Sequence, residues 1–191
     1  MSNFEIHTIE TAPDDSKPLL EKSQKTNGYI PNLDGVLATS PELLKTYQYI
    51  HENFVNSSFD NDELTVVWQT INVYHECHYC VPAHTAIARS MKVDSAITEA
   101  LRNGDTLPTE KLQALHKMTL AIVENRGNVS EEGVQEFFDA GYTQKHILEI
   151  ILGVSQKTIS NYTNHFAETP LDQGFAKYEW KKQGATEPSI A

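Results

Sequence analysis

The sequence predicts an all-α protein. Three observations lead there: apolar residues recur at helical rather than strand spacing, capping residues stand where those patterns begin, and no β-branched alternating run is bounded by hairpin turns. At 191 residues the chain is long enough for one domain with a full core, and no break in composition argues for two. The expected architecture is a bundle of about six to seven helices.

Taken in order, the first 38 residues, with Pro13, Pro18, Gly28 and Pro31, read as an extended arm, and so do the last 20 or so. Residues 1–38 and 171–191 are thus expected to flank a helical domain over 39–170. Ser40-Pro41 opens the first helix, with serine as cap, proline at the first position, and Leu43, Leu44, Tyr47, Ile50 and Phe54 on one face. A second pattern, from about Asp60 to Tyr74, carries Leu64, Val67, Trp68, Ile71 and Tyr74, and a third runs from a cysteine motif to about Met91. "VDSAITEALRNG" is a short helix capped by Asp94 and ended by Gly104. Beyond Pro108, Leu112, Leu115, Met118, Ile122 and Val123 mark another, and Ser130-Glu131-Glu132 starts a short one before Gly141. From Thr143 to about Glu168, Leu148, Ile151, Leu152, Ser155, Ile159, Tyr162 and Phe166 line one face of the longest helix, closed by Thr169-Pro170.

Acidic residues outnumber Lys and Arg by 26 to 15 and no basic run occurs, so the summed field repels phosphate backbones and anionic lipid surfaces. Nucleic acid and membranes are not expected partners. "MSNFEIHTIETAPDD" has neither a basic nor an apolar leader region, and no apolar stretch is long enough to span a bilayer, so a cytoplasmic location is expected. In that reducing compartment the two cysteines point to metal binding or thiol redox chemistry.

Both lie in "YHECHYCVPAH", residues 74–84. Pro82 lacks an N–H and fits only the first turn of a helix, so the helix cap is Tyr79 or later. Cys80 then sits in or beside that turn, where the helix dipole favours a thiolate, and Cys77 lies just before it. His84, four residues on, shares the face of Cys80 and is placed to take its proton. The C-x-x-C spacing lets the two sulfurs close a small disulfide. Two other readings stay open: a zinc site on Cys77, Cys80 and His84 with His75 or His78 bending back as fourth ligand, and inert buried thiols.

"CHYCVPAH" at a helix start, with "IPNLDGVLATSPELL" and "NYTNHFAETPLD" before and after it, resembles the AhpD-like alkylhydroperoxidases of the carboxymuconolactone decarboxylase superfamily, in particular their peroxidase-related members. The likeness runs over roughly residues 28 to 172. It implies that Cys80 is the reactive thiol, that Cys77 resolves it as a disulfide, and that His84 belongs to a proton relay. The sequence departs from the family at the relay glutamate, which is Thr65 here, and at a histidine before the second cysteine, which is Tyr79 with His78 beside it. Thr65, Gln69, Asn72 and Glu76 form a helical stripe, read first as the solvated side of its helix, on which Glu76 could stand in for the missing carboxylate. Asn161 and His165 are a similar polar pair, read as a packing or capping detail.

The expected function is therefore a thiol-dependent oxidoreductase of alkylhydroperoxidase or disulfide-reductase type, acting on a small hydroperoxide or disulfide. No Gly-rich dinucleotide fingerprint follows a strand, so an external dithiol must supply electrons and no bound cofactor is expected. The resemblance and the amphipathic helices together imply a homo-oligomer, a trimer or hexamer. The alternatives are a non-redox lactone enzyme like carboxymuconolactone decarboxylase, and a non-enzymatic zinc-binding helical module.

Overall fold

The computed structural model describes residues 4–182, and among them every regular element is helical. The chain forms α1 (Lys17–Asn27), α2 (Asn32–Leu37), α3 (Pro41–Val55), α4 (Asn61–Tyr74), α5 (Cys80–Ser90), α6 (Ser95–Asn103), α7 (Glu110–Glu124), α8 (Glu131–Asp139) and α9 (Gln144–Ala167), with short 3₁₀ turns at Asp14–Ser16 and Gln173–Tyr178. Helices α3 to α9 start and stop where the caps predict. Ser40 accepts from the Leu43 N–H, Asp60 and Glu63 form a reciprocal capping box, and Asp94 accepts from the Ala96 N–H.

The two helices beyond the expected six to seven come from the segment predicted to be extended. Its prolines and glycine punctuate helices instead of preventing them: Pro18 occupies the first turn of α1, Gly28 ends it at φ 81°, and Pro31 precedes α2. Leu20, Leu33, Val36 and Leu37 from this segment are buried. The C-terminal stretch is also docked as far as it is described. The Arg102 guanidinium donates to the carbonyls of Tyr178 and Glu179, and the Trp180 indole donates to the Arg102 carbonyl. The remainder of that predicted arm, 183–191, lies outside the described residues, as do 1–3.

Helix α4 is the centre, packed by α5, α6, α7 and α9, while α3 also lies along α9. Phe54, Trp68, Ile71, Leu115, Phe137 and Ile150 form the larger core. A second core joins Leu20, Leu33, Leu37 and Leu44 to Cys77, Tyr79, Cys80 and Ala83, with Leu171 and Phe175 against it. Fully burying an aliphatic side chain contributes about 1.5–3 kcal/mol, so the N-terminal helices are bound to the body by the same cluster that encloses the cysteines.

Helix α9 turns much of its expected apolar face outward. Leu148, Ile151, Ser155, Tyr162 and Phe166 are exposed, and the buried side carries Gly153, Gln156, Lys157, Ser160, Asn161 and Asn164. Of the expected face only Leu152 and Ile159 are half-buried against the cores, because the buried side mixes Ile150 and Ala167 with the polar residues that surround the cysteines. No helix among the described residues is long and apolar enough to cross a membrane.

Candidate active site

Helix α4 ends at His75, and Glu76 takes a left-handed conformation at φ 53°, so the Cys77 N–H turns back to the Asn72 carbonyl at 3.0 Å. This reversal brings Cys77 beside the start of α5. Tyr79 caps that helix and Cys80 is its first residue, as the position of Pro82 requires. The Cys80 N–H donates to the Cys77 sulfur at 3.3 Å, and both cysteines are free and buried. The two sulfurs therefore lie together at the helix start, both facing the Asn164 amide.

Their environments push them apart. Burial alone would raise the pKa of Cys80, but a hydrogen bond from the Cys77 thiol, the Lys157 ammonium and the Asn164 amide hold it down to about 5. Asn164 Nδ2 donates to the Cys80 sulfur at 3.2 Å. Burial raises Cys77, and the adjacent Cys80 sulfur raises it further. The surroundings thus favour the thiolate at Cys80 and the thiol at Cys77.

Lys157 is the residue that sequence reasoning missed. It lies on the long last helix, is 1 % exposed, and donates to His84 Nε2 at 2.9 Å. Burial, then the Lys157 charge and His51, push the His84 pKa well below the usual imidazole value, so the ring is neutral and accepts this bond. Among the described residues His84 makes no hydrogen bond to either sulfur, and its Nδ1 has no partner. The expected direct pairing of His84 with the thiols is replaced by an indirect one, through the lysine. The only sequence signal for Lys157 was a charge inside an amphipathic pattern, which reads as a solvated position until the buried face of the helix is known.

The polar stripe on α4 is interior, against the reading of it as solvated. Thr65, Gln69 and Asn72 are buried. Thr65 Oγ1 bonds back to the Asn61 carbonyl, whereas Gln69, Asn72 and Asn161 form a chain of amides that ends at His75. This chain bonds the carbonyls of Val81 and Cys80 and so fixes the first turn of α5. Asn161 is thus part of the site's frame, while His165 is exposed. Glu76 points outward to Lys182 at 2.7 Å and takes no part in this network.

The histidines weighed as a fourth zinc ligand are engaged elsewhere, His75 with Asn161 and His78 with the Thr169 carbonyl. No three His, Cys, Asp or Glu side chains among the described residues are arranged to hold a metal. What does open beside Cys80 is a cavity of about 720 Å³, lined also by Leu33, Tyr47, Tyr79, His84, Lys157 and Phe175. The helices from the N-terminal segment and the C-terminal 3₁₀ turn form its walls. Their joint is Asp172, which accepts from the Tyr79 hydroxyl and, at 3.1 Å, from the Asn32 N–H.

Superposed on solved structures, the chain matches a peroxidase-related protein from Ralstonia eutropha, described as an alkylhydroperoxidase AhpD core, with a TM-score of 0.81 over 91% of this chain and 94% of that one. The chain has the AhpD-like fold. A second peroxidase-related protein, from Silicibacter, superposes with a TM-score of 0.77 over 91% of this chain and 92% of its own length. The debrominase Bmp8, as a cysteine-to-alanine variant in complex with 2,3,4-tribromopyrrole, shares the AhpD-like fold with a TM-score of 0.76 over 93% and 95%. Sequence identities are 18%, 16% and 13% respectively. No family model matches the sequence and no curated protein matches it.

Proposed function

We propose that the protein is a thiol-dependent oxidoreductase in which the Cys80 thiolate attacks a small hydroperoxide or disulfide and Cys77 closes an internal disulfide. The observation that carries this reading is the split between the two sulfurs: Cys80 is held as thiolate by Lys157, Asn164 and Cys77, and Cys77 remains a thiol in reach of it. The attacking and the resolving sulfur are told apart by their ionisation at one pH, and the surroundings favour opposite states for the two.

In the first step the thiolate forms an S–O bond as the O–O bond breaks, leaving sulfenic acid on Cys80 and an alcohol once the leaving oxygen is protonated. The Cys77 thiol then displaces water from that sulfur. An external dithiol in a reducing compartment restores both thiols. Lys157 stabilises the thiolate, and His84, bonded to the ammonium, is a positioning residue. Asn164 orients the sulfur, and the amide chain from Gln69 to Asn161 keeps the helix start rigid.

Thiol titration tests this directly. Reduced protein given one equivalent of an alkyl hydroperoxide should lose two free thiols, and dithiothreitol should return both. Running a brominated pyrrole beside the hydroperoxide, since Bmp8 binds one, compares the two electrophile classes on the same thiolate. Two thiols that persist through the hydroperoxide, and through a small disulfide offered in the same way, would rule the reading out.

A further inference from the structure

Resting on the thiol-peroxidase reading, we propose that Asp34 is the general acid of this site, handing its proton to the oxygen that leaves when the Cys80 thiolate opens a hydroperoxide. Glu76, the carboxylate beside the cysteine motif, is turned out to Lys182 and lines no part of the cavity. A carboxyl is nonetheless present in the cavity. It comes from α2, the segment whose sequence reads as an arm.

Asp34 is 7 % exposed and lines the cavity together with Cys80, Tyr47 and Lys157. Its Oδ2 accepts from Ser23 Oγ at 2.5 Å, and Ser23 is held in turn by the Gln48 amide at 2.9 Å. No Lys or Arg among the described residues forms an ion pair with it. A carboxylate buried without a cation is costly, and one at the wall of a cavity that also holds a reactive thiol is a candidate for proton chemistry. Burial also favours the neutral acid, and Asp172 adds to this, so that Asp34 holds its proton up to about pH 6 in spite of the Ser23 bond. Tyr47 lies within the field of both Asp34 and Cys80, and all three line the same cavity.

In the range below about pH 6 where Asp34 holds its proton, the other groups in the cavity do not take this role. His84 and His51 have lost their protons, the first well below the ordinary value and the second at about 4. Tyr47 and Tyr79 are pushed up, chiefly by burial. Lys157 is engaged by His84 and by the charge on Cys80. The step balances as follows: the S–O bond forms and the O–O bond breaks, Cys80 is oxidised by two electrons, the alkoxide leaves with the electron pair, and Asp34 gives it a proton. Cys77 then forms the S–S bond and water leaves. When an external dithiol reduces the disulfide, the proton released as Cys80 returns to thiolate restores Asp34.

The test compares two reactions of the same thiolate, oxidation by cumene hydroperoxide, whose leaving oxygen needs a proton, and alkylation by iodoacetamide, whose leaving iodide does not. Their rate ratio cancels the ionisation of Cys80. In the wild type the ratio should fall about tenfold per pH unit above the ionisation of Asp34, toward an uncatalysed floor. Asp34→Asn keeps an acceptor for Ser23, and should lower the ratio about 10²-fold near pH 5 and abolish its slope. Around Asp34 the groups to weigh are Ser23 on α1, Tyr29, Tyr47 on α3 and Asp172 beyond α9, with His51, His84 and Lys157 across the cavity. A wild-type ratio that stays flat from pH 5 to 8 overturns the assignment whether or not the variant folds, and so does a folded Asp34→Asn protein with the wild-type slope. Protein that alkylates but never reacts with hydroperoxide removes the peroxidase reading itself, and this assignment with it.

Discussion

The Lys157 ammonium meets His84 Nε2 at 2.9 Å in the interior, and the same charge holds the Cys80 sulfur as a thiolate. A buried cation on α9 and a neutral ring on α5 thus do what a histidine acting alone on the thiol would not: they fix a charge beside the sulfur without competing for its proton.

Removing that charge should show in the thiol. Lys157→Met replaces the buried charge by an apolar chain of similar length but leaves the Cys80 sulfur and His84 Nε2 without their cation, which costs stability, so a cooperative melt must first show that the variant is folded. The rate of iodoacetamide alkylation should be half-maximal near pH 5 in the wild type, falling as the pH drops and Cys80 takes up a proton. In the variant the midpoint should rise by about one unit or more, giving a loss of about twofold or more at pH 6 that approaches tenfold at pH 4. An unmoved midpoint would show that Asn164 and Cys77 suffice.

Asp34 makes a separate prediction about stability. Its folded pKa is raised from 3.8 to about 6, so its contribution is fully present below pH 3.8 and is lost as the pH rises through 6. A rise of roughly two units corresponds to about 3 kcal/mol. Urea melts should find wild type losing about that much between pH 4 and pH 7 relative to Asp34→Asn, in which other titrations cancel. Parallel pH curves for the two proteins would mean that Asp34 is not buried as described.

The exposed stripe of α9 should be an interface. Leu148 and Phe166 are 67% and 74% exposed, with Ile151 and Tyr162 between them, on one face of a single helix. Apolar surface of this continuity marks association sites on soluble proteins. Light scattering should give a trimer or hexamer of the 21.5 kDa chain, and Leu148→Glu with Phe166→Glu should dissociate it. A 21.5 kDa species in the wild type at micromolar concentration would contradict this.

Gly153 lets α9 lie against α3 and α4. A Cβ there would stand 2.9 Å from Phe54 Cε2 and 3.0 Å from Val67 Cγ1, both on fully buried side chains. Gly153→Val should therefore cost about 1–3 kcal/mol through overpacking, read as a lower urea midpoint with an unchanged slope. A midpoint equal to the wild type would show that Phe54 has room to move.

The helices from Pro41 onward were legible because caps and apolar period agree: Ser40-Pro41, Asp60 with Glu63, and Asp94 with Gly104 each act as they read. The placement of Cys80 at a helix start was legible from Pro82 alone. The N-terminal helices were not, since Pro18, Gly28 and Pro31 serve equally well as caps and as marks of an extended arm. The buried face of α9 was hidden for a different reason. Period fixes which residues share a face, and hydrophobicity normally selects the inner one, but here Lys157, Asn161 and Asn164 are buried for the thiols and Leu148 and Phe166 are left outside. Lys157 and Asp34 could not be joined to Cys80 from the sequence, because nothing local links positions so far apart in the chain.

The most direct measurement of the central claim is to trap the first oxidation product. Cys77→Ser protein, treated with one equivalent of alkyl hydroperoxide in the presence of dimedone and digested, should carry the sulfenic-acid adduct on the peptide containing Cys80. Wild type treated alike should yield chiefly the Cys77–Cys80 disulfide. If Cys80→Ser protein instead forms the adduct at Cys77 as fast as Cys77→Ser forms it at Cys80, or if neither thiol is oxidised, Cys80 is not the nucleophile that the surrounding lysine and amides indicate.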